Sequence, residues 1–146
     1  MENLLKIFYV ALGGAFGAVA RYGIGLIFAN SLTNFPLATF FVNVSGSFLI
    51  GFLLTRFEAN ETMRLLLVTG FLGAYTTFST FEYEAFNLTQ TKQLAMAFVY
   101  VALSFSVGFI GVLLGIWVGK KGNRLERKGS QSFTQSYAKA FSNLAF

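Results

Sequence analysis

Four long apolar stretches separated by short polar links dominate the sequence. They cover about residues 4–28, 36–57, 63–88 and 94–119, and each is long enough for a helix to cross a bilayer core of about 30 Å. Because the links are short, neighbouring helices are forced to run antiparallel. The pattern therefore predicts an all-α membrane protein, a compact unit of four transmembrane helices.

The composition supports this prediction and argues against catalysis. Hydrophobic residues make up 55% of the 146 residues and charged residues 12%, about half of the roughly 25% that is usual in soluble domains. The chain contains no Cys, His or Asp. It therefore lacks the usual side chains of zinc sites, Ser-His-Asp hydrolases and two-metal phosphoryl-transfer enzymes. We expect a protein that is not an enzyme.

The third apolar stretch is the least helix-like of the four. Between Val68 and Phe81 it contains two Gly, four Thr and one Ser, all of them poorer helix formers than Ala or Leu. A break at membrane depth frees backbone groups, which is tolerated only where protein or a water-filled cavity receives them. Transport proteins bind ions at such breaks. We predict a broken third helix; the alternative is an unbroken helix whose hydroxyls bond back to their own turn.

Polar and aromatic positions with helical spacing accompany this stretch. Thr39, Asn43 and Ser47 are spaced by four and share one face of the second helix. The Asn43 amide would make either a helix–helix hydrogen bond or a donor aimed into a polar pathway. Phe78 and Phe81 share a face as well. Their positive ring edges, together with hydroxyl and amide donors, would line a path for a small anion; plain packing is the alternative.

Other features lie on the first and fourth helices. Arg21 is inside the first stretch, where it either snorkels to the headgroups or raises the anion concentration at the mouth of a path. Tyr100 and Ser104 are four apart on the fourth helix. Glycines at four-residue spacing predict close helix packing: Gly13, Gly17, Gly111, Gly115 and Gly119.

The character of the sequence changes after residue 119. Five basic residues are followed by a Ser/Gln-rich stretch: Lys120, Lys121, Arg124, Arg127 and Lys128. We expect this cluster to contact anionic membrane lipid rather than nucleic acid. Phe133, Tyr137 and Phe141 recur every four residues, as in a short interfacial helix. The predicted organisation is a transmembrane domain over 1–119 and a basic C-terminal tail over 120–146, disordered or interfacial.

Three motifs together resemble the CrcB/Fluc family of fluoride channels. They are GGAFGAVARY over 13–22, TFFVNVSGS over 39–47 and TGFLGAYTTFSTF over 69–81, and the resemblance covers about residues 5–119. It implies a four-helix subunit that pairs with an inverted copy of itself as an antiparallel, dual-topology homodimer with two fluoride pores. It further implies passive fluoride export across a bacterial plasma membrane, which lowers cytoplasmic fluoride.

The resemblance also implies roles for individual residues. Arg21 would stand at a vestibule, and the backbone carbonyls of Gly73 and Thr76 would bind a structural sodium ion on the dimer axis. The Asn43 amide would donate to fluoride, and two phenylalanines would form the paired rings of the pore. The full implied pathway is Asn43, Phe78, Phe81, Ser79, Thr80, Tyr100, Ser104, Thr39 and Glu84.

Two other classes of protein compete with this interpretation. Small proton-coupled multidrug-type exporters also have four helices, but they depend on an acidic residue within the first helix. Here that helix has Arg21 and no acid beyond Glu2. An assembly protein whose glycines only pack helices would leave Asn43 and the cluster over 76–81 unexplained.

Overall fold

The computed structural model describes the backbone of residues 1–142 and the side chains of residues 1–135. In chain order its helices are α1 Glu2–Phe28, α2 Leu37–Arg56, α3 Glu61–Met63, the π-helix π1 Arg64–Leu72, α4 Gly73–Tyr75, α5 Phe78–Gln90 and α6 Leu94–Ser142. Residues 1–142 contain no strand, so the predicted all-α class is confirmed. Within the described residues, three helices (α1, α2 and α6) are long and apolar enough to cross a membrane.

Helix α1 packs very closely on π1. A Cβ atom added to Gly13 would lie 2.0 Å from the Leu66 carbonyl oxygen, and one added to Gly17 would lie 2.1 Å from the Phe71 carbonyl oxygen. Gly70 meets α1 in the same way from the other side, with its added Cβ 2.6 Å from the Val10 carbonyl oxygen. These positions accept only glycine. The wide turns of π1 therefore lie directly against the backbone of α1.

Helices α2 and α6 form the second close pair. A Cβ atom on Gly51 would lie 2.3 Å from the Val112 carbonyl oxygen, and one on Gly115 would lie 2.1 Å from the Phe48 carbonyl oxygen. Small residues allow this approach, which brings the two backbones into van der Waals contact along much of α2. The glycine rows predicted to pack helices do so in both pairs.

The chain stops being helical at two residues of the third apolar stretch. Helix α4 ends at Tyr75, and α5 begins at Phe78. Between them Thr76 has φ −76° and ψ 158°, and Thr77 has φ −150° and ψ 118°. Both residues therefore have extended backbone inside an otherwise helical segment over 61–90, which we call the interrupted segment. That this segment forms a fourth membrane span stays a prediction.

Helix α6 continues well beyond the predicted end of the fourth span. It has 49 residues, a length of about 74 Å at 1.5 Å per residue, which is more than twice the thickness of a bilayer core. The helix passes Gly119 without a break and continues to Ser142, the last residue whose backbone is described, so the boundary predicted between the domain and its tail is not a helix end. The side chains of Tyr137 and Phe141, predicted to form an interfacial face, lie outside the described residues.

Candidate functional site

Asn43 holds the interruption through both ends of its side-chain amide. Its Nδ2 donates to the Thr77 carbonyl oxygen at 3.0 Å, and the Thr77 N–H donates to its Oδ1 at 2.9 Å. In a regular helix the Thr77 N–H would have donated to the Gly73 carbonyl. The side chain thus replaces helical bonds that the extended backbone gives up. Of the two alternatives for Asn43, the structure contains the helix–helix bond, and one Nδ2 hydrogen remains for another acceptor.

Thr77 also begins helix α5. Its hydroxyl accepts a hydrogen bond from the Thr80 N–H at 3.3 Å and lies 2.9 Å from the Thr80 Oγ1, to which it donates. This is the geometry of an N-cap, which satisfies an amide that the first turn of a helix leaves free. Ser79 and Thr80 are both exposed. The Thr80 hydroxyl keeps its own hydrogen for a further acceptor because it accepts the bond from Thr77.

A buried cluster of three oxygen-bearing side chains lies beside the interruption. The Thr39 hydroxyl donates to Glu84 Oε1 at 2.8 Å, and the Tyr100 hydroxyl donates to Glu84 Oε2 at 2.8 Å. Thr39 is 6% exposed and Tyr100 is fully buried. One carboxylate on α5 is therefore hydrogen-bonded to α2 and α6 at once, and this fixes the position of α5 between them.

The two predicted pore phenylalanines have very different surroundings. Phe78 is 63% exposed, whereas Phe81 is 7% exposed, and their ring centroids are 5.9 Å apart. The Phe81 ring lies 5.0 Å from that of Tyr100 and meets the Phe105 ring edge-to-face at 6.0 Å. Phe81 is thus fixed by neighbouring rings, and Phe78 faces outward from the same turn.

A groove of about 500 Å³ runs beside the interruption, bordered by α2, the interrupted segment and α6. Four of the predicted pathway residues line it: Asn43, Phe78, Phe81 and Ser104. The Ser104 hydroxyl is buried and has no hydrogen-bond partner in the part of the chain that the structure describes. A buried polar group without a partner is rare and costly, so the Ser104 hydroxyl is available to bond to a ligand or water.

Of the remaining predicted residues, Gly73 and Thr76 also line the groove. Thr39, Glu84 and Tyr100 form the hydrogen-bonded cluster, which joins the groove through the contact between the Phe81 and Tyr100 rings. Arg21 is half-buried and makes no ion pair with any described residue. The Thr76 hydroxyl donates to the Leu72 carbonyl at 2.9 Å.

Sequence reasoning missed two residues that shape this site. Thr77 supplies both the backbone groups that bind Asn43 and the cap of α5, and Phe105 completes the ring cluster around Phe81. Thr77 could have been found, because it lies in the Thr-rich motif where the break was predicted. A residue at a helix break needs new hydrogen-bond partners for its backbone groups. Phe105 carried no signal, because it is one of 19 phenylalanines.

Comparison with known proteins places this geometry in a family. Residues 8–116 match the family described as "CrcB-like protein, Camphor Resistance (CrcB)". A relative from Acidobacterium capsulatum named fluoride-specific ion channel FluC is 47% identical over 122 residues, which are 80% of this chain and 98% of the relative. The chain belongs to the CrcB family. The resemblance predicted from the three motifs is confirmed.

Other CrcB relatives have similar coverage and the same kind of name. One from Clostridium acetobutylicum, fluoride-specific ion channel FluC 2, is 40% identical over 117 residues, 80% of this chain and 99% of the relative. One from Ignicoccus hospitalis is 46% identical over 110 residues. These relatives are named as ion channels, not enzymes, which agrees with the expectation from composition. Together with the three membrane-capable helices, they confirm the prediction of a multi-pass protein of a bacterial cell membrane.

The CrcB match ends at residue 116, and the helix beyond it is attached to the core by polar contacts. Arg56 at the end of α2 donates to Asn123 Oδ1 at 3.3 Å and forms an ion pair with Glu126. Asn123 Nδ2 donates to the Thr55 carbonyl oxygen at 3.0 Å. These bonds hold the first turns of the extension against α2. The basic residues predicted to contact lipid are therefore presented on a helix.

Proposed function

We propose that this CrcB-family chain is a fluoride-selective channel that passively exports fluoride and lowers its cytoplasmic concentration. The observation that carries the proposal is the interruption at Thr76 and Thr77, bonded to Asn43 and opening on a groove that two phenylalanines line. The names of the CrcB relatives supply the ion. A groove with hydroxyl, amide and ring-edge groups is the environment that a small anion needs at membrane depth.

The residues implied for the pathway take the following roles in this proposal. Asn43 donates its second Nδ2 hydrogen to fluoride, and the edges of Phe78 and Phe81 face the ion. Ser79, Thr80 and Ser104 donate through hydroxyls that are not consumed elsewhere. The cluster of Thr39, Glu84 and Tyr100 holds α5 in place and forms the continuation of the path, and Arg21 attracts fluoride at the vestibule.

The N-terminus of α5 adds to the attraction for an anion. The first turn of a helix leaves backbone N–H groups without intrahelical partners, and the helix dipole is positive at this end. Helix α5 has 13 residues and begins at Phe78, next to the groove. An anion in the groove would therefore meet the positive end of a helix as well as side-chain donors.

We further propose that the carbonyls of Gly73 and Thr76 bind a structural sodium ion. The Gly73 carbonyl does not receive the Thr77 N–H, because that group donates to Asn43. Thr76 has extended backbone, which turns its carbonyl out of the helical direction. Free carbonyls at a broken helix are suitable ligands for Na⁺, which prefers oxygen donors. Replacing sodium by a large organic cation during purification should then lower the stability of the protein.

The proposed assembly is an antiparallel homodimer with one subunit inverted. The groove is bordered by α2, the interrupted segment and α6 and is open to the surroundings, so a second copy is the simplest way to close it into a pore. Helices α1 and α6 also expose large apolar side chains along their lengths. Some of these face membrane lipid and others would face the partner. Cross-linking between single cysteines placed at opposite ends of the bundle would detect the inverted arrangement.

Fluoride efflux from proteoliposomes tests the proposed function. Purified protein in vesicles loaded with potassium fluoride, with valinomycin to carry the counter-ion, should release fluoride rapidly to an external electrode. Vesicles loaded with chloride should release little. The channel account is wrong if monodisperse protein produces no fluoride release above protein-free vesicles. Release that requires an imposed proton gradient would favour the exporter instead, a class that the CrcB relatives do not support.

A further inference from the structure

Thr39, Asn43 and Ser47 form a row on one face of α2, and Ser47 is the only one of the three to which no role has been given above. Thr39 bonds to Glu84, and Asn43 bonds to Thr77. Ser47 occupies the next turn of the same face and lines the groove. Its hydroxyl has no hydrogen-bond partner among the described residues. A polar row whose first two members are bonded thus ends on a free hydroxyl.

Other hydroxyls in the same apolar helices bond back to their own helix. The Ser45 hydroxyl donates to the Phe41 carbonyl at 2.7 Å, and the Thr55 hydroxyl donates to the Gly51 carbonyl at 2.8 Å. This back-bond to the residue four positions earlier is the default for Ser and Thr in apolar surroundings. The Ser47 hydroxyl does not make the equivalent bond to Asn43. Its oxygen is directed toward α6 instead.

The position that Ser47 faces on α6 is a glycine. A Cβ atom added to Gly108 would lie 3.4 Å from the Ser47 Oγ, and nothing else polar stands between them. Gly108 is one helical turn beyond Ser104, so it lies on the same face as the buried, unpartnered Ser104 hydroxyl. The hydroxyls of Ser47 on α2 and Ser104 on α6 therefore both lack partners among the described residues and line the same groove. Gly108, which has no side chain, leaves the space between the two helices open there.

We propose that Ser47 is an anion-binding residue, which together with Ser104 forms a two-hydroxyl position for a small halide between α2 and α6. The inference rests on the proposed function and adds a residue to its pathway. Each hydroxyl has a hydrogen to donate, and neither carries a charge that would trap the ion. Gly108 leaves the space beside the Ser47 oxygen open, since a Cβ atom there would lie in van der Waals contact with that oxygen at 3.4 Å.

The dependence of efflux on fluoride concentration tests this position. Ser47→Ala removes one donor to an anion, and we expect the half-saturating fluoride concentration to rise about tenfold. Ser47→Thr keeps a hydroxyl and should remain within about threefold of the wild type. Thr55→Val is the matched control, since its hydroxyl is already bonded within α2, and it should leave the half-saturating concentration unchanged.

The outcomes separate this inference from the proposed function. If the wild type conducts fluoride and Ser47→Ala has the wild-type half-saturating concentration, Ser47 does not bind the anion and the inference is wrong. If the wild type itself conducts no fluoride, the proposed function fails first. Should Ser47→Ala not assemble, Ser47→Cys decides, because a thiol is only a weak donor: a raised half-saturating concentration supports the position, and an unchanged one contradicts it.

Discussion

Removal of the Asn43 side chain should lower the stability of the protein as well as impair fluoride efflux. In Asn43→Ala both backbone groups of Thr77 lose their partners, and Thr77 is only 9% exposed, so water cannot easily replace them. Each buried group left unpaired costs about 1–3 kcal/mol, which sums to about 2–6 kcal/mol for the pair. Asn43→Asp keeps an acceptor for the Thr77 N–H but places a second acceptor oxygen against the Thr77 carbonyl oxygen, so it should also be less stable than the wild type.

This free energy can be measured by reversible unfolding of the detergent-solubilised protein in a denaturant series. Ser47→Ala is the matched control, because it lies one turn away on the same face and has no hydrogen bond to lose; it should change stability by less than about 0.5 kcal/mol. An Asn43→Ala protein as stable as the wild type would refute the account of Asn43 as the residue that holds the interruption. Because the substitution is expected to disturb the interruption, a loss of fluoride flux in Asn43→Ala does not by itself identify Asn43 as a donor to fluoride.

Substitutions at three further places test the same contacts. Phe78→Ile or Phe81→Ile should cripple fluoride efflux while gel filtration still detects the dimer, and normal efflux would remove that ring from the pathway. Gly13→Ala should destabilise the protein by several kcal/mol, because the added Cβ would overlap π1. Gly23→Ala is the control and should be neutral, because the space around Gly23 is open. Equal thermal stability of the two variants would contradict the close packing of α1 on π1. Glu84→Ala should lower the melting temperature because two buried hydroxyls lose their acceptor, and an unchanged temperature would count against the cluster.

The main helices could be predicted from the sequence because apolar periodicity and chain length fix them. The predicted starts and ends of the first two stretches agree with α1 and α2 to within about two residues. The location of the interruption was also accessible, since Thr-rich and Gly-rich sequence between Val68 and Phe81 has low helix propensity. What the sequence lacked was the partner that stabilises the extended residues.

That partner could not be predicted because it depends on how separate helices meet. Asn43 and Thr77 are 34 residues apart, and no periodicity within either helix specifies their contact. The same holds for the Thr39, Glu84 and Tyr100 cluster, whose members come from three helices. The π-helical turns of π1 lie against the backbone of α1, and no periodicity in the sequence specified them.

The C-terminal extension illustrates a different limit. The sequence predicted a disordered or interfacial tail over 120–146; α6 continues through its described part to Ser142, and an interfacial location for this helix stays a prediction. Lys, Arg, Glu and Gln have good helix propensity, and the bonds from Arg56 to Asn123 and Glu126 supply tertiary support. Composition alone could not reveal that support, because it comes from the end of α2.

The reversal potential under bi-ionic conditions tests the central claim most directly. The reconstituted protein is placed in a membrane with fluoride on one side and chloride on the other. If amide, hydroxyl and ring-edge donors replace the water of fluoride, the measured potential should be close to the value for a membrane permeable to fluoride alone. A potential near zero, or one set by chloride, would contradict the claim that the interruption at Thr76 and Thr77 forms a fluoride-selective path.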